Sequence, residues 1–235
     1  MESLLPVLGY GAIPVLAATL GGALTAWRTP GERVQGMVQH FAAGVVFAAA
    51  AGELLPDMLH DKGNGVLPVV LGAAAGVALM LALRAASKRV GEATGLIALT
   101  GLDVLIDGFV VSLGFTAGAG QGLLLVAALS IELLFLGLTV AVALGRAGAS
   151  KARVVLATAA VALLLPAGAA AGTLLFRGMP GAWLTGFFAF GLVALLYLVT
   201  EELLVEAHEK PETPLATAVF FVGFFLLIVL DEAIR

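Results

Sequence analysis

Apolar runs of about 20 residues follow one another along the whole chain, separated only by short breaks. The breaks are RTPGER (28–33), HDKGNG (60–65), ASKRVGEA (86–93), TAGAGQG (116–122), RAGASKAR (146–153), RGMPG (177–181) and HEKPETP (208–214). Gly, Pro and charge punctuate nearly all of them. Each run is long enough to cross a hydrocarbon core of about 30 Å as a helix. The pattern predicts an all-α integral membrane protein with eight transmembrane helices, at 5–27, 35–58, 65–86, 94–117, 122–145, 153–176, 182–207 and 214–233. Composition agrees: 12% of residues are charged, about half the share of a soluble domain. No stretch is left for a soluble domain, so residues 1–235 are expected to form one transmembrane domain. There are no cysteines, which excludes disulfides, iron–sulfur clusters and thiolate metal sites. The N-terminus MESLLPVLGY lacks a basic region, so the first run is expected to be kept as a helix.

Basic residues set the expected orientation. With alternating spans, one side holds Arg28, Arg33, Arg84, Lys88, Arg89, Arg146, Lys151, Arg153 and Lys210, nine in all; the other holds Lys62, Arg177 and Arg235, three in all. Nine against three predicts a multi-pass inner (plasma) membrane protein with both termini outside.

Acidic residues stand where a membrane span tolerates them least. Asp103 and Asp107 in TGLDVLIDGFVVSLGF (100–115) share one face of the fourth helix, because residues four apart are neighbours on a helix. Glu132 lies near the middle of the fifth. An ionisable group at that depth costs on the order of 3 kcal/mol and points to function. No Lys, Arg or His is expected at the same depth. Either the acids are protonated, since burial favours the neutral carboxyl, or a mobile cation supplies the charge. A protonated Asp capped by a backbone carbonyl is the structural alternative for one acid, and less so for three.

Further acids mark both mouths of a cation pathway. Glu53 and Asp57 end the second helix, followed by His60 and Asp61; Glu201, Glu202, Glu206, His208 and Glu209 end the seventh. Glu53, Glu201 and Glu202 fall inside their spans. Asp61, Glu209 and Glu212 fit plain solvation, and His40 fits capping or packing. Other chemistry finds little footing. GAGQG (118–122) has no preceding strand and no following Lys, unlike a phosphate loop. No Ser–His–Asp grouping sits at depth; Asp107 and Glu132 only loosely meet the need of an aspartyl-type protease.

HFAAGVVFAAAAGELLPDM in the second helix echoes FFAFGLVALLYLVTEELLVEAH in the seventh. These helices run in opposite directions, so the echo suggests an inverted repeat of helices 1–3 and 6–8 around a central pair. Two Ala/Leu-rich helices that look alike by composition are the plain alternative.

On these stretches the chain resembles the ZIP family of divalent metal transporters. HFAAGVVFAAAAGELLPDM is similar to the family's second helix and LVALLYLVTEELLVEAHE to its seventh. The family's helix 4 motif is His-Asn-x-x-Asp/Glu-Gly, and DVLIDG (103–108) occupies its register, with Asp103 in the His place, Val104 in the Asn place, and Asp107 and Gly108 matching. ELLFLG (132–137) fits the helix 5 motif at Glu132 and Gly137. The resemblance implies a 3+2+3 ZIP-like bundle and a metal site made of Asp103, Asp107 and Glu132. A second family site is erased, because Val104, Leu133 and Leu136 carry no donor and helix 6 has no acid. Carboxylate ligands suit Mn²⁺ or Mg²⁺ better than a mixed N/O set does, and they also bind Zn²⁺ and Fe²⁺. The family mechanism has helices 1, 4, 5 and 6 slide as a unit against 2, 3, 7 and 8. The small residues of GGALTAW, AAGVVFAAAAG and GAAAGVALM would suit that sliding interface, and are equally normal in a static bundle. A homodimer is a family expectation.

The function expected is thus transport, not enzymatic: uptake of a divalent cation (zinc, manganese or iron) as substrate. The lipid bilayer is the surrounding partner and no nucleic acid is involved. A proton-coupled carrier of a non-metal substrate, and a ZIP-like sensor or partner protein, are the alternatives.

Overall fold

The computed structural model describes residues 4–60, 65–87, 92–211 and 213–234. Asp61, Glu212 and the basic residues Lys62, Lys88, Arg89 and Arg235 lie outside them, as does the side chain of His60. Among the described residues, eight helices are long and apolar enough to cross a membrane. We label them α1 (Leu4–Trp27), α2 (Glu32–Ala49, Ala50–Leu54 and Leu55–His60), α3 (Val66–Ser87), α4 (Glu92–Ala117), α5 (Ala119–Arg146), α6 (Lys151–Ala162 and Leu164–Phe176), α7 (Gly181–Tyr197, Leu198–Leu203 and Leu204–His208) and α8 (Pro214–Ile234). The expected spans match these to within a few residues. The break before α5 is shorter than TAGAGQG suggests, because extended Gly118 alone separates the helices.

Three helices are irregular, which a continuous apolar pattern cannot reveal. α6 breaks at Leu163. Pro166 three residues on has no N–H and crowds the carbonyl four residues back, at Ala162. α2 and α7 each contain a π-helical segment, Ala50–Leu54 and Leu198–Leu203. These fall on GELL (52–55) and EELL (201–204), the same place in the two stretches that echo each other. A π turn adds one residue to the helix and re-aims the side chains beside it, and such turns are frequent at functional sites.

Packing sorts the helices into two groups. α1, α4, α5 and α6 pack together; α2 packs on α7 and α8, and α3 on α7. The groups meet through α2–α5, α4–α7, α5–α8 and α3–α4. Exchanging α1 with α6, α2 with α7, α3 with α8 and α4 with α5 turns this set of neighbours into itself.

Glycines explain how tightly each group closes. A Cβ on Gly21 or Gly137 would strike the backbone of the opposite helix in the α1–α5 pair, and one on Gly108 or Gly168 would do so between α4 and α6. Gly44 and Gly223 play the same part between α2 and α8, and Gly72 meets Gly186 between α3 and α7. Close backbone approach is what small residues permit in membrane helices. Here those approaches lie inside the groups. The glycines of GGALTAW, AAGVVFAAAAG and GAAAGVALM belong here too: Gly21, Gly22, Gly44, Gly72 and Gly76 face helices of their own group, and Gly52 faces open space. Across the boundary the approach is less close: a Cβ on Gly191 of α7 would meet a side-chain methyl of Val110 of α4, tightly, at 3.3 Å, and no backbone.

Candidate metal centre

Most hydroxyls inside the spans are locally satisfied. Thr19, Thr116, Ser130, Thr158, Thr173, Thr185 and Thr200 each donate to the carbonyl four residues back. Such back-bonding lets a hydroxyl enter an apolar helix at small cost. A carboxylate has no proton to donate in this way.

α4 and α5 pack side by side, and that brings Asp103 and Asp107 against Glu132. Each offers one oxygen, and the three lie within 4.8 Å of one another. Asp103 is 8% exposed, Asp107 2% and Glu132 1%. Asp103 Oδ2, Asp107 Oδ2 and both Glu132 oxygens are buried without a hydrogen-bond partner. Buried polar atoms are nearly always paired, so four such oxygens at one point suit bound protons or a cation held between them. Their mutual repulsion, when ionised, is roughly 3 kcal/mol per pair at an effective dielectric constant of about 20. One divalent ion held there would meet both conditions. Any two oxygens bound to one ion at 2.1–2.4 Å are at most about 4.2–4.8 Å apart, and these three lie within 4.8 Å of one another. Among the described residues no other group of three His, Asp or Glu side chains comes this close.

Val104 and Leu133, beside the triad in sequence, are fully buried apolar side chains. Leu136 faces the clefts beside the triad.

Two clefts lead to the triad from one end of the bundle, where the C-termini of α1, α3, α5 and α7 meet the N-termini of α2, α4, α6 and α8. The larger, about 250 Å³, reaches Asp103 and is lined also by Thr100, Arg84, Tyr197, Glu201, Glu202 and Glu206. The smaller, about 70 Å³, reaches Glu132 past Gln39, Thr139, Leu198, Glu202 and Glu206. Glu202 and Glu206 therefore face the triad from the opposite helix group. Gln39 of α2 donates to Glu206 at 2.5 Å. Toward the other end the triad is sealed. Val110 and Leu113 of α4, Leu54 of α2, and Leu124, Leu125 and Leu129 of α5 are buried, and the first three converge on Gly191.

The remaining pathway candidates separate by environment. Glu201 pairs with Arg84 at 2.6 Å at the half-exposed mouth. Arg84 stays half-exposed at that mouth and lines the cleft that also reaches Asp103. Glu53 is buried in the π segment of α2, and Asp57 lies one turn on, half-buried, beyond the seal. Neither lines a cleft that reaches the triad. His208 is exposed and its ring lies against that of His40. His40 is buried, with its Nδ1 on the carbonyl of Gly36 in its own helix. Glu209 is exposed, as solvation predicts. Gln39 and Thr100 were missed, although a Gln one turn inside an apolar span is a readable signal.

Comparison with family models and with curated proteins returns no match to this chain. What the site does is decided by its own chemistry.

Proposed function

We propose that this chain carries a divalent metal cation across the membrane as its substrate, held between α4 and α5 by Asp103, Asp107 and Glu132. The observation that carries this is the three buried carboxylates within 4.8 Å, with four oxygens lacking any partner. An all-oxygen, imidazole-free site favours a hard ion such as Mn²⁺ over Zn²⁺ or Fe²⁺.

We read the architecture as ZIP-like, 3+2+3, with α1–α3 and α6–α8 as inverted repeats. The self-mapping pattern of helix neighbours supports this, as do the π segments in register on GELL and EELL. In that register Glu53 and Asp57 correspond to Glu202 and Glu206, so each repeat brings one acid pair to its own mouth. Transport follows as movement of α1, α4, α5 and α6, with the triad, against α2, α3, α7 and α8. Glycine-locked backbones inside each group and looser contact between them suit two bodies that shift against each other. The basic side is cytoplasmic in this reading, both termini are outside, and the clefts give an inward-open state. The protein is an uptake system of the inner membrane.

Uptake of Mn²⁺ into proteoliposomes, with Zn²⁺ and Fe²⁺ as competitors, tests the proposal. Asp107→Asn and Glu132→Gln keep side-chain shape and remove charge. Each should abolish uptake while the protein keeps its melting temperature in detergent, because removing an uncompensated buried charge does not harm packing. Full uptake by both variants would eliminate the site. Metal-independent proton flux that vanishes in both would favour the proton carrier instead.

A further inference from the structure

The chain has three histidines, and two of them, 168 positions apart, meet. His40 near the start of α2 and His208 at the end of α7 place their ring centroids 5.3 Å apart, inclined at 58°. Each ring has its Nδ1 against the carbonyl oxygen four residues back: Gly36 at 2.8 Å for His40 and Leu204 at 2.5 Å for His208. A carbonyl oxygen only accepts, so each Nδ1 carries the proton and donates. In the neutral rings both Nε2 atoms are then left with a lone pair.

This is the arrangement that metal-binding imidazoles use, in which the second ring nitrogen donates to a backbone carbonyl and fixes tautomer and ring orientation. The spacing fits as well. An ion about 2.0–2.1 Å from each Nε2 in tetrahedral geometry holds the two ring centres about 5 Å apart. Gly36 lets α2 approach this closely, since a Cβ there would press on Lys210 at the end of α7. One ring is buried and the other exposed, so the pair is anchored on one side and open to water on the other.

We propose that His40 and His208 form a second, imidazole-ligated site for a borderline divalent cation, of the Zn²⁺, Cu²⁺ or Ni²⁺ class, with water completing its coordination. It bridges α2 and α7, both in the helix group that does not carry the carboxylate triad. Its ligand class is opposite to that of the triad, nitrogen against oxygen, and it stands whether or not the triad transports metal.

That difference supplies the test. Untagged protein loaded with one equivalent of Cu²⁺ is studied by electron spin-echo modulation, which detects the remote nitrogen of a bound imidazole and no carboxylate. Wild type should show two equivalent imidazoles. The signal should fall to one imidazole in His40→Gln and in His208→Gln, with zinc binding at this site weakened about tenfold or more. It should persist in His60→Gln, whose residue lies about 30 Å away along α2, and in Asp107→Asn with Glu132→Gln. Absence of imidazole modulation in the wild type, or its survival in both His40→Gln and His208→Gln, would overturn the site. Because His208 is exposed, its variant remains informative if loss of buried His40 unfolds the protein. Loss of uptake in the triad variants with imidazole modulation intact would separate this site from the transport site.

Discussion

If the chain transports a metal as proposed, Asp103 is the residue expected to set substrate preference most directly. It lines the larger cleft and contributes to the triad. Asp103→His adds a borderline nitrogen ligand and removes one negative charge, so the ratio of Zn²⁺ to Mn²⁺ uptake should rise about tenfold, or about 1.4 kcal/mol of differential binding. An unchanged ratio at matched expression would mean that Asp103 does not touch the ion. Val104, Leu133 and Leu136 belong to the same scale. They offer no donor atom, so crystals soaked in Mn²⁺ should give a single anomalous peak at the α4–α5 contact. Two peaks about 4 Å apart, the spacing of two-metal sites, would show that other atoms rebuild the second site. Much at this scale was legible in advance. Asp103, Asp107 and Glu132 stand out because water-free helices rarely carry acids. Gln39, Thr100 and Arg84 did not, because their part in the clefts comes from which helix they face.

Single helices gain their stability here from close approach more than from pattern. α4 and α6 interlock through Gly108 and Gly168, each against the backbone of the other helix. Gly108→Ala should therefore lower stability by about 1–3 kcal/mol or more, the usual cost of overpacking. Gly9→Ala, with open space around it, should leave stability equal or slightly higher, since Ala loses less backbone entropy in a helix. Urea unfolding midpoints in mixed micelles compare the two, and equal midpoints would deny the interlock. The π segments and the break at Leu163 mark the limit of sequence reading at this scale. Pro166 was visible, and its break could have been anticipated. The π turns of α2 and α7 were not, because an inserted residue leaves no mark in a helix that is apolar on every side.

Across the whole molecule, two helix groups meet along α2–α5 and α4–α7, and both clefts run along that boundary. The chain has no native cysteine, so introduced thiols report cleanly. Cysteines at Thr139 of α5 and Leu203 of α7, joined by a short bifunctional reagent across the smaller cleft, should stop uptake, and reduction of a cleavable linker should restore it. A cross-link within one group, between Gly22 of α1 and Thr158 of α6, should leave uptake near wild type. Equal uptake from both linked proteins would rule out relative motion of the groups. A cysteine at Leu136 should react with impermeant thiol reagents from the basic side only. A reporter fused after Arg235 that is active only in the cytoplasm would reverse the orientation and, with it, the side on which the clefts open.

Read without any structure, the chain already determines eight helices, their limits and three acids at mid-depth. Each follows from local free energy: apolar length, Gly and Pro at the breaks, and the cost of a charge in hydrocarbon. What only the tertiary structure decides is proximity. Asp103 and Asp107 are neighbours by helical spacing, but Glu132 joins them because α4 and α5 pack in one register among several that an apolar surface allows. The same holds for His40 against His208, and for Arg84 reaching the cleft from α3. Apolar faces attract one another without direction. Glycine contacts that admit one backbone geometry choose among the registers, and those contacts exist only once both helices are in place.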